Sequence, residues 1–498
     1  MKSFSQFIQD MGFVEYPFST YTTENEKGKE DNLFVSPSGY APIIQSFNQE
    51  QSLVLIGDRG TGKTAILLDF ERNLDKTSTL LCSIDNFESL RLNFNTVDFY
   101  KILIRQLSIQ LSQKLATEKY RLKNLTRSDR VLLSYLLFHF LPKLSKKNLT
   151  EEIDKIQSNP YIRKIKKTYN KIRFIFNWGL SLGANVLDNY IAAYFNIPST
   201  LNRTEVRDFL PTLDTDGDLD FENMPMSYEL FEMALDLLPK LQFKRMVVIL
   251  DKLDEDWRLN NNGEAIADFV RPILIDNKLL LSHKIQLVIS MWSTPFNYLS
   301  ADVRTQKHYC PRLKWEREDL VNVLNKRLQT YSSGAITSYV QLFGGQLNAQ
   351  KDDLIFDLAN GNPRDLWHLF NQLLSQQHQK NPDSSIIEST TIDAAARKFV
   401  LEFNYYEYYP KKPNARANSM DFYSYAALLL RLEGEIFTRN QLNILAGTGG
   451  STHNYVVGME RIGLIIKNSN TESSALTYRI KDPKVVYALK HGLRIEKR

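Results

Sequence analysis

Leu53-Val54-Leu55-Ile56-Gly57-Asp58-Arg59-Gly60-Thr61-Gly62-Lys63-Thr64 is the stretch on which the fold turns. An apolar run that reads as a buried strand leads into the phosphate-loop pattern G-x-x-x-x-G-K-[ST], matched at every fixed position. Ala65, Ile66, Leu67, Leu68 and Phe70, broken by Asp69 and Glu71, predict the helix that must follow. Backbone N–H groups can wrap a polyphosphate only where side chains are small, and a helix N-terminus adds a favourable dipole. Gly57, Asp58, Arg59, Gly60, Thr61, Gly62, Lys63, Thr64 and Ala65 are therefore the expected phosphate-binding residues. Lys63 would place a point charge on the β and γ phosphates, and the Thr64 hydroxyl would ligate Mg²⁺.

The remainder of the chain constrains this reading only broadly. Its 498 residues allow two to four domains and a large core. A formal charge of +5 is too small to argue for nucleic acid by itself. Cys82 and Cys310 are isolated and form no metal-ligand or disulfide pattern. Together with an N-terminus lacking a continuous apolar run, they predict a reduced, cytoplasmic setting. The mostly apolar stretch from Phe174 to Phe195 is interrupted by Asn177, Asn185, Asp188 and Asn189, and Val131 to Leu141 is too short, so no membrane span is expected.

Strands are predicted at Ser52–Ile56, Thr79–Ile84, Met246–Leu250 and Ile285–Ile289. Helices between them, including one from Thr96 to about Leu115, argue for a parallel α/β sheet. Thr64 and Asp251 stand 187 positions apart, far more than a strand–helix–strand unit of about 30 residues needs. An insertion is therefore expected over 116–235. Its first part is basic, through Arg121, Lys123, Arg127, Arg130 and others up to Arg173. Its end is acidic, through Asp214, Asp216, Asp218, Asp220 and Glu222. The basic part reads either as a solvated helical face or as a nucleic-acid or partner surface. Asp214-Thr215-Asp216-Gly217-Asp218 fails as a calcium loop because its glycine comes too early.

Beyond the sheet, Trp315–Gln329, Asp352–Asn360 and Arg364–Gln377 predict a small helical domain, and the tyrosine-rich 403–418 reads as a linker. Helices near Phe422–Leu432, Arg439–Leu445 and Ser451–Ile462 then precede the pair Leu464–Lys467 and Thr477–Ile480. That is the order of a winged helix-turn-helix. Its third helix carries little positive charge beyond Arg461, so DNA and protein stay level as its partner.

The apolar run Met246–Leu250 ends in Asp251-Lys252-Leu253-Asp254-Glu255-Asp256. Asp251 is the expected Mg²⁺ ligand, through water, and Glu255 or Asp254 the carboxylate that orients or deprotonates the attacking water. A GTPase reading competes, since Asp251-Lys252-Leu253-Asp254 resembles the guanine-reading NKxD element and Asp214-Thr215-Asp216-Gly217 fits DxxG. The first lacks the asparagine or threonine, and the second follows no buried strand.

Three ordered elements, Gly57 to Thr64, Asp251-x-x-Asp254-Glu255 and Gly361-Asn362-Pro363-Arg364 at a helix start, resemble the AAA+-like P-loop ATPases of the origin-recognition and STAND (NACHT-like) groups. Pro17-Phe18 and Phe34-Val35 resemble segments ahead of the loop in a group of bacterial P-loop ATPases. The resemblance covers the first 50 residues, the sheet and the helical lid, and omits the insertion. It implies ATP and Mg²⁺ as ligands and Arg364 as a sensor arginine reaching the γ-phosphate. It also implies a first sensor near Ser290 to Thr294, with Arg304 or Arg312 as an arginine finger toward a neighbouring copy. It further implies homo-oligomerisation and roles in DNA transactions or phage-defence signalling. The departure is Lys252 directly after Asp251, which leaves the catalytic carboxylate open. The expected organisation is a cover segment over 1–50, an ATPase core over 51–115 and 236–315, and the insertion over 116–235. A lid over 316–402, a linker over 403–418 and a winged helix over 419–498 follow.

Overall fold

The protein is described by a computed structural model covering residues 2–26, 28–140, 224–411, 420–468 and 476–497. Most of the basic run, the acidic cluster, the DxxG-like stretch and the apolar stretch from Phe174 to Phe195 lie outside the described residues. Among the described residues no helix is long and apolar enough to cross a membrane.

Four parallel strands, β1 (Leu53–Gly57), β2 (Thr79–Ile84), β3 (Arg245–Leu250) and β4 (Ile285–Trp292), form the central sheet in the order β1-β4-β3-β2. On the free side of β1 runs an extended segment, Tyr309–Leu313. It pairs in parallel through Val54 N–H to the Tyr309 carbonyl at 3.0 Å and Ile56 N–H to the Pro311 carbonyl at 2.9 Å. β4, placed between the loop strand and the acidic strand, is the additional strand of the expected P-loop fold. β1, β3 and β4 are apolar almost throughout because both sheet faces are covered, as parallel sheets require. One face meets α1 (Tyr40–Asn48) and α2 (Lys63–Asn73) through Phe47, Leu55, Phe70 and Ile249. The other meets α3 (Thr96–Thr117), α4 (Arg127–Phe140), α5 (Met224–Lys240) and α6 (Gly263–Leu274).

α3 starts where Asn95 and Asp98 form a reciprocal capping box, which satisfies two otherwise orphan N–H groups. α5 begins inside the stretch assigned to the insertion and runs past 235, so the return to the core lies earlier than the charge pattern implied. Arg121 is a further correction. Rather than contributing to a basic surface it is 4% exposed, donating to the carbonyls of Thr77, Leu241 and Gln242 and pairing with Glu118.

The lid comprises α7 (Arg317–Tyr331), α8 (Ala349–Ala359), α9 (Pro363–Lys380) and α10 (Ser389–Glu402), the last unread in the sequence. The N-terminal 50 residues divide between two bodies. Phe7, Phe13, Phe18 and Leu33 pack into the lid core, whereas α1 packs on the sheet. Arg327 of α7 locks the first part to the lid by donating to the Pro17 and Thr20 carbonyls and pairing with Glu26.

The winged helix holds α11 (Phe422–Leu429), α12 (Arg439–Ala446), α13 (Thr452–Arg461) and α14 (Pro483–Lys490), with the antiparallel sheet β5 (Ile436–Thr438), β7 (Thr477–Ile480) and β6 (Ile465–Asn468), in that order. It shares one continuous core with the lid. Residues 403–411 are not a loose tether. Tyr405 and Tyr409 stack on Phe422 at 4.4 and 4.5 Å, forming an aromatic joint, and 412–419 lie outside the described residues.

Candidate nucleotide site

The site lies at the C-terminal ends of β1, β3 and β4, where the carbonyl ends of parallel strands open a crevice. Gly60 and Gly62 adopt φ of +85° and +82°, which glycine reaches without strain. At Gly60 a Cβ would also stand 2.6 Å from Asn362 Oδ1 and 2.7 Å from Arg364 Cβ, so the lid approaches the loop backbone only because that side chain is absent. Lys63 Nζ donates to the Gly57 and Asp58 carbonyls at 3.0 and 3.1 Å, and Thr61 Oγ1 donates to the Asp58 carbonyl at 2.7 Å. Trp315 Nε1 ties the loop from outside, donating to the Thr61 carbonyl at 2.8 Å.

Thr64 and Asp251 meet. The Thr64 hydroxyl donates to Asp251 Oδ2 at 2.7 Å, joining residues 187 positions apart. The two remaining carboxylates differ. Asp254, 4% exposed, is held by Arg59, whose Nε reaches Oδ2 at 3.0 Å and whose Nη2 reaches the Asp254 carbonyl at 2.8 Å. Arg59 also lies over the Trp292 ring at 4.4 Å. Glu255 borders the cavity, and burial, reinforced by the Asp254 charge, raises its carboxyl above the ordinary glutamate value. Burial lowers Lys63 below the usual lysine range, against the opposing pull of Asp254, Asp251 and Asp58.

The cavity has a volume of about 340 Å³. Among its lining residues Arg59, Lys63, Thr64, Asp251, Glu255 and, from the lid, Arg364 are polar. Phe34, Val35, Ile66, Val323 and Trp367 are apolar members of the same lining. Gly60, Gly62, Ala65 and Asp254 also line it, whereas Gly57, Asp58 and Thr61 lie behind and shape the loop. Arg364 stands in the first turn of α9, after the N-cap Asn362 and Pro363, and its Nε is buried without a hydrogen-bond partner. Its Nη1 lies 3.9 Å from Glu407 of the aromatic joint.

Within the window expected for a first sensor, the structure singles out Ser290. It is 1% exposed, lines the cavity, and its hydroxyl has no hydrogen-bond partner. Arg304 and Arg312 do not line the cavity, and Arg312 donates to Asn297 Oδ1 at 2.8 Å. Trp315, Val323 and Trp367 carried no motif and were missed, because a wall residue is marked only by tertiary position.

His368, one turn along α9 from Arg364, stacks on Tyr21 at 3.9 Å, and burial lowers its imidazole to about 4. A histidine depressed in the folded state costs stability once pH falls below its unfolded value near 6.5, because the unfolded chain then binds the extra proton. Between pH 7 and pH 5 this should remove about 1–2 kcal/mol, after allowance for partial exposure. Denaturant unfolding of native chain and His368→Gln at both pH values checks it. The variant should lose less stability on acidification by that amount.

No protein-family model matches the chain, and no curated protein matches it. Among solved structures, the Aeropyrum pernix ORC2 protein in its ADPNP–ADP complexes aligns at 9% identity and TM-score 0.38, covering 93% of each chain. The ADP form of the same protein aligns at 9% identity and TM-score 0.34, covering 90% of each chain. Drosophila ORC bound to DNA aligns at 11% identity and TM-score 0.28, covering 98% of this chain and 92% of that one.

Proposed function

We propose that the chain is an ATP-binding and ATP-hydrolysing switch of the AAA+/STAND kind. The observation that carries this reading is the Thr64–Asp251 contact at the mouth of a complete phosphate loop, with Glu255 beside it and Arg364 facing it from the lid. Thr64 and Asp251 offer hard oxygen donors. That suits Mg²⁺, which takes one or two protein oxygens and completes its shell with phosphate and water. Mg²⁺ bound there would neutralise charge developing on the β and γ phosphates.

In this reading Lys63 and the loop N–H groups hold the phosphates, and the free Ser290 hydroxyl donates to a γ-phosphate oxygen or to the attacking water. Glu255 orients that water and takes its proton. Asp254 serves the loop instead, because Arg59 occupies its carboxylate. Arg364, whose Nε lacks a partner, would turn from Glu407 to the γ-phosphate and draw the lid with it. Hydrolysis then removes one contact of a two-domain bridge. A guanine-reading role for Asp251 and Asp254 is disfavoured because Thr64 and Arg59 occupy them. Mg-ATP titration and phosphate release by the full chain test the proposal: binding in the micromolar range with measurable turnover is expected, and absence of binding would overturn it.

A second reading, a nucleotide-gated partner-binding module with little hydrolysis, draws on the winged helix. Arg461, the single Lys or Arg of α13, pairs with Glu264 of α6 and lies over Tyr298 at 4.9 Å. Ile444 and Val457, on α12 and α13, are by contrast 68% and 45% exposed. Apolar exposure with the helix's charge engaged favours a protein partner over DNA. Duplex DNA binding should therefore be weak and lack a steep fall of log affinity with log salt.

A further inference from the structure

A line of buried polar groups leads away from the phosphate loop and into the C-terminal domain. Asn362 Nδ2 donates to the Arg59 carbonyl at 2.7 Å and to the Tyr408 hydroxyl at 2.6 Å, while its Oδ1 accepts the Arg364 N–H at 2.9 Å. Tyr408 passes its own proton donor to Asp365, and Asp365 Oδ2 lies 2.7 Å from Lys484 Nζ of α14. Asn362, Asp365 and Lys484 are 3%, 1% and 0% exposed. The Lys484 ammonium is caged by the Phe403 and Tyr408 rings at 4.5 and 5.2 Å. Burial pulls its pKa down, but Asp365 and Asp482 more than offset that and keep it charged.

A wholly buried lysine is rare, and a buried ion pair seldom stabilises more than well-packed apolar side chains would. Its distinctive property is geometric: moving α14 by an ångström or two breaks it and leaves a charge unpaired. Apart from the Asn362–Arg364 cap, each link lies between different parts of the chain, namely phosphate loop, lid helix, aromatic joint and winged helix. The loop end is as constrained as the far end, because Asn362 spends both amide protons and its carbonyl at once.

We infer that Lys484, Asp365, Tyr408 and Asn362 act as positioning residues through which the seating of the winged helix sets nucleotide affinity at the phosphate loop, a claim that rests on the ATP reading above. Coupling of this kind is reciprocal: what the winged helix does to nucleotide affinity, nucleotide does to the winged helix.

Tyr408→Phe keeps the ring and removes the bridging hydroxyl. It should weaken Mg-ATP binding about tenfold, as loss of a buried hydrogen bond would. Lys484→Met combined with Asp365→Asn, which removes both charges of the pair and leaves Asp482 held by the Tyr409 hydroxyl and the backbone N–H of residue 484, should act in the same direction. In the native full chain, Mg-ATP should slow amide exchange across 483–490 several-fold, a measurement that stands even where a variant fails to fold. The inference is overturned if both variants bind Mg-ATP as the native chain does, or if exchange across 483–490 ignores the nucleotide. Native binding weakened by Lys63→Ala but untouched by both of these variants would sink this chain of contacts alone. A native chain that binds no nucleotide would sink the ATP reading and this inference with it.

Discussion

Glu255→Gln is expected to lower ATP turnover by about two to three orders of magnitude while leaving Mg-ATP affinity within about threefold of native, the range a positioned general base supplies. Glutamine keeps the size and hydrogen-bonding reach of the side chain but cannot take a proton. Burial and the neighbouring Asp254 raise the carboxyl of Glu255 toward the pH range where a base is most useful. The sign follows: turnover should fall as pH falls through that raised value. Asp254→Asn offers the contrast, because Asp254 is engaged by Arg59 at 3.0 Å. That variant should disturb the loop and hence affinity more than the chemical step. Phosphate release measured at saturating ATP separates the two, and a Glu255→Gln chain as active as native would remove Glu255 from the mechanism.

Lys63→Ala should weaken Mg-ATP binding about 30- to 100-fold with little change in folding stability, in line with the worth of a charge-assisted hydrogen bond to phosphate. Its ammonium now rests on the Gly57 and Asp58 carbonyls, from which a bound phosphate would draw it. Burial lowers its pKa, and phosphate charge would restore it, so binding and protonation reinforce each other. Calorimetric titration reads the affinity directly. Equal affinities for the two chains would place the nucleotide elsewhere or nowhere.

What could be read from the residues was whatever chemistry makes local. Gly60, Gly62, Lys63 and Thr64 announced the loop because anion wrapping demands those types at that spacing, and Thr79–Ile84 formed its strand at the expected bounds. Arg364 could be placed in a first helical turn because proline at the start leaves few alternatives. Other features depended on partners far along the chain. Arg59 meets Asp254 at a separation of 195 positions, and Asn362 meets Arg59 at 303, so no window of sequence could have shown that Arg59 engages Asp254 while Glu255 borders the cavity. Tyr405 and Tyr409 looked like linker because prolines follow, yet Phe422 gives them a stacking surface. Tyr309–Leu313 escaped notice since it pairs on one side only and carries a proline at 311.

The clamp that Arg327 makes on Pro17, Thr20 and Glu26 has a kinetic meaning. It makes the early chain and the lid one body, and that body supplies Val323 and Trp367 on one side of the cavity while Ile66 and the phosphate loop supply the other. In the ATP reading a bound nucleotide leaves when these two packed masses part, so its residence time is set by that separation as well as by the phosphate contacts.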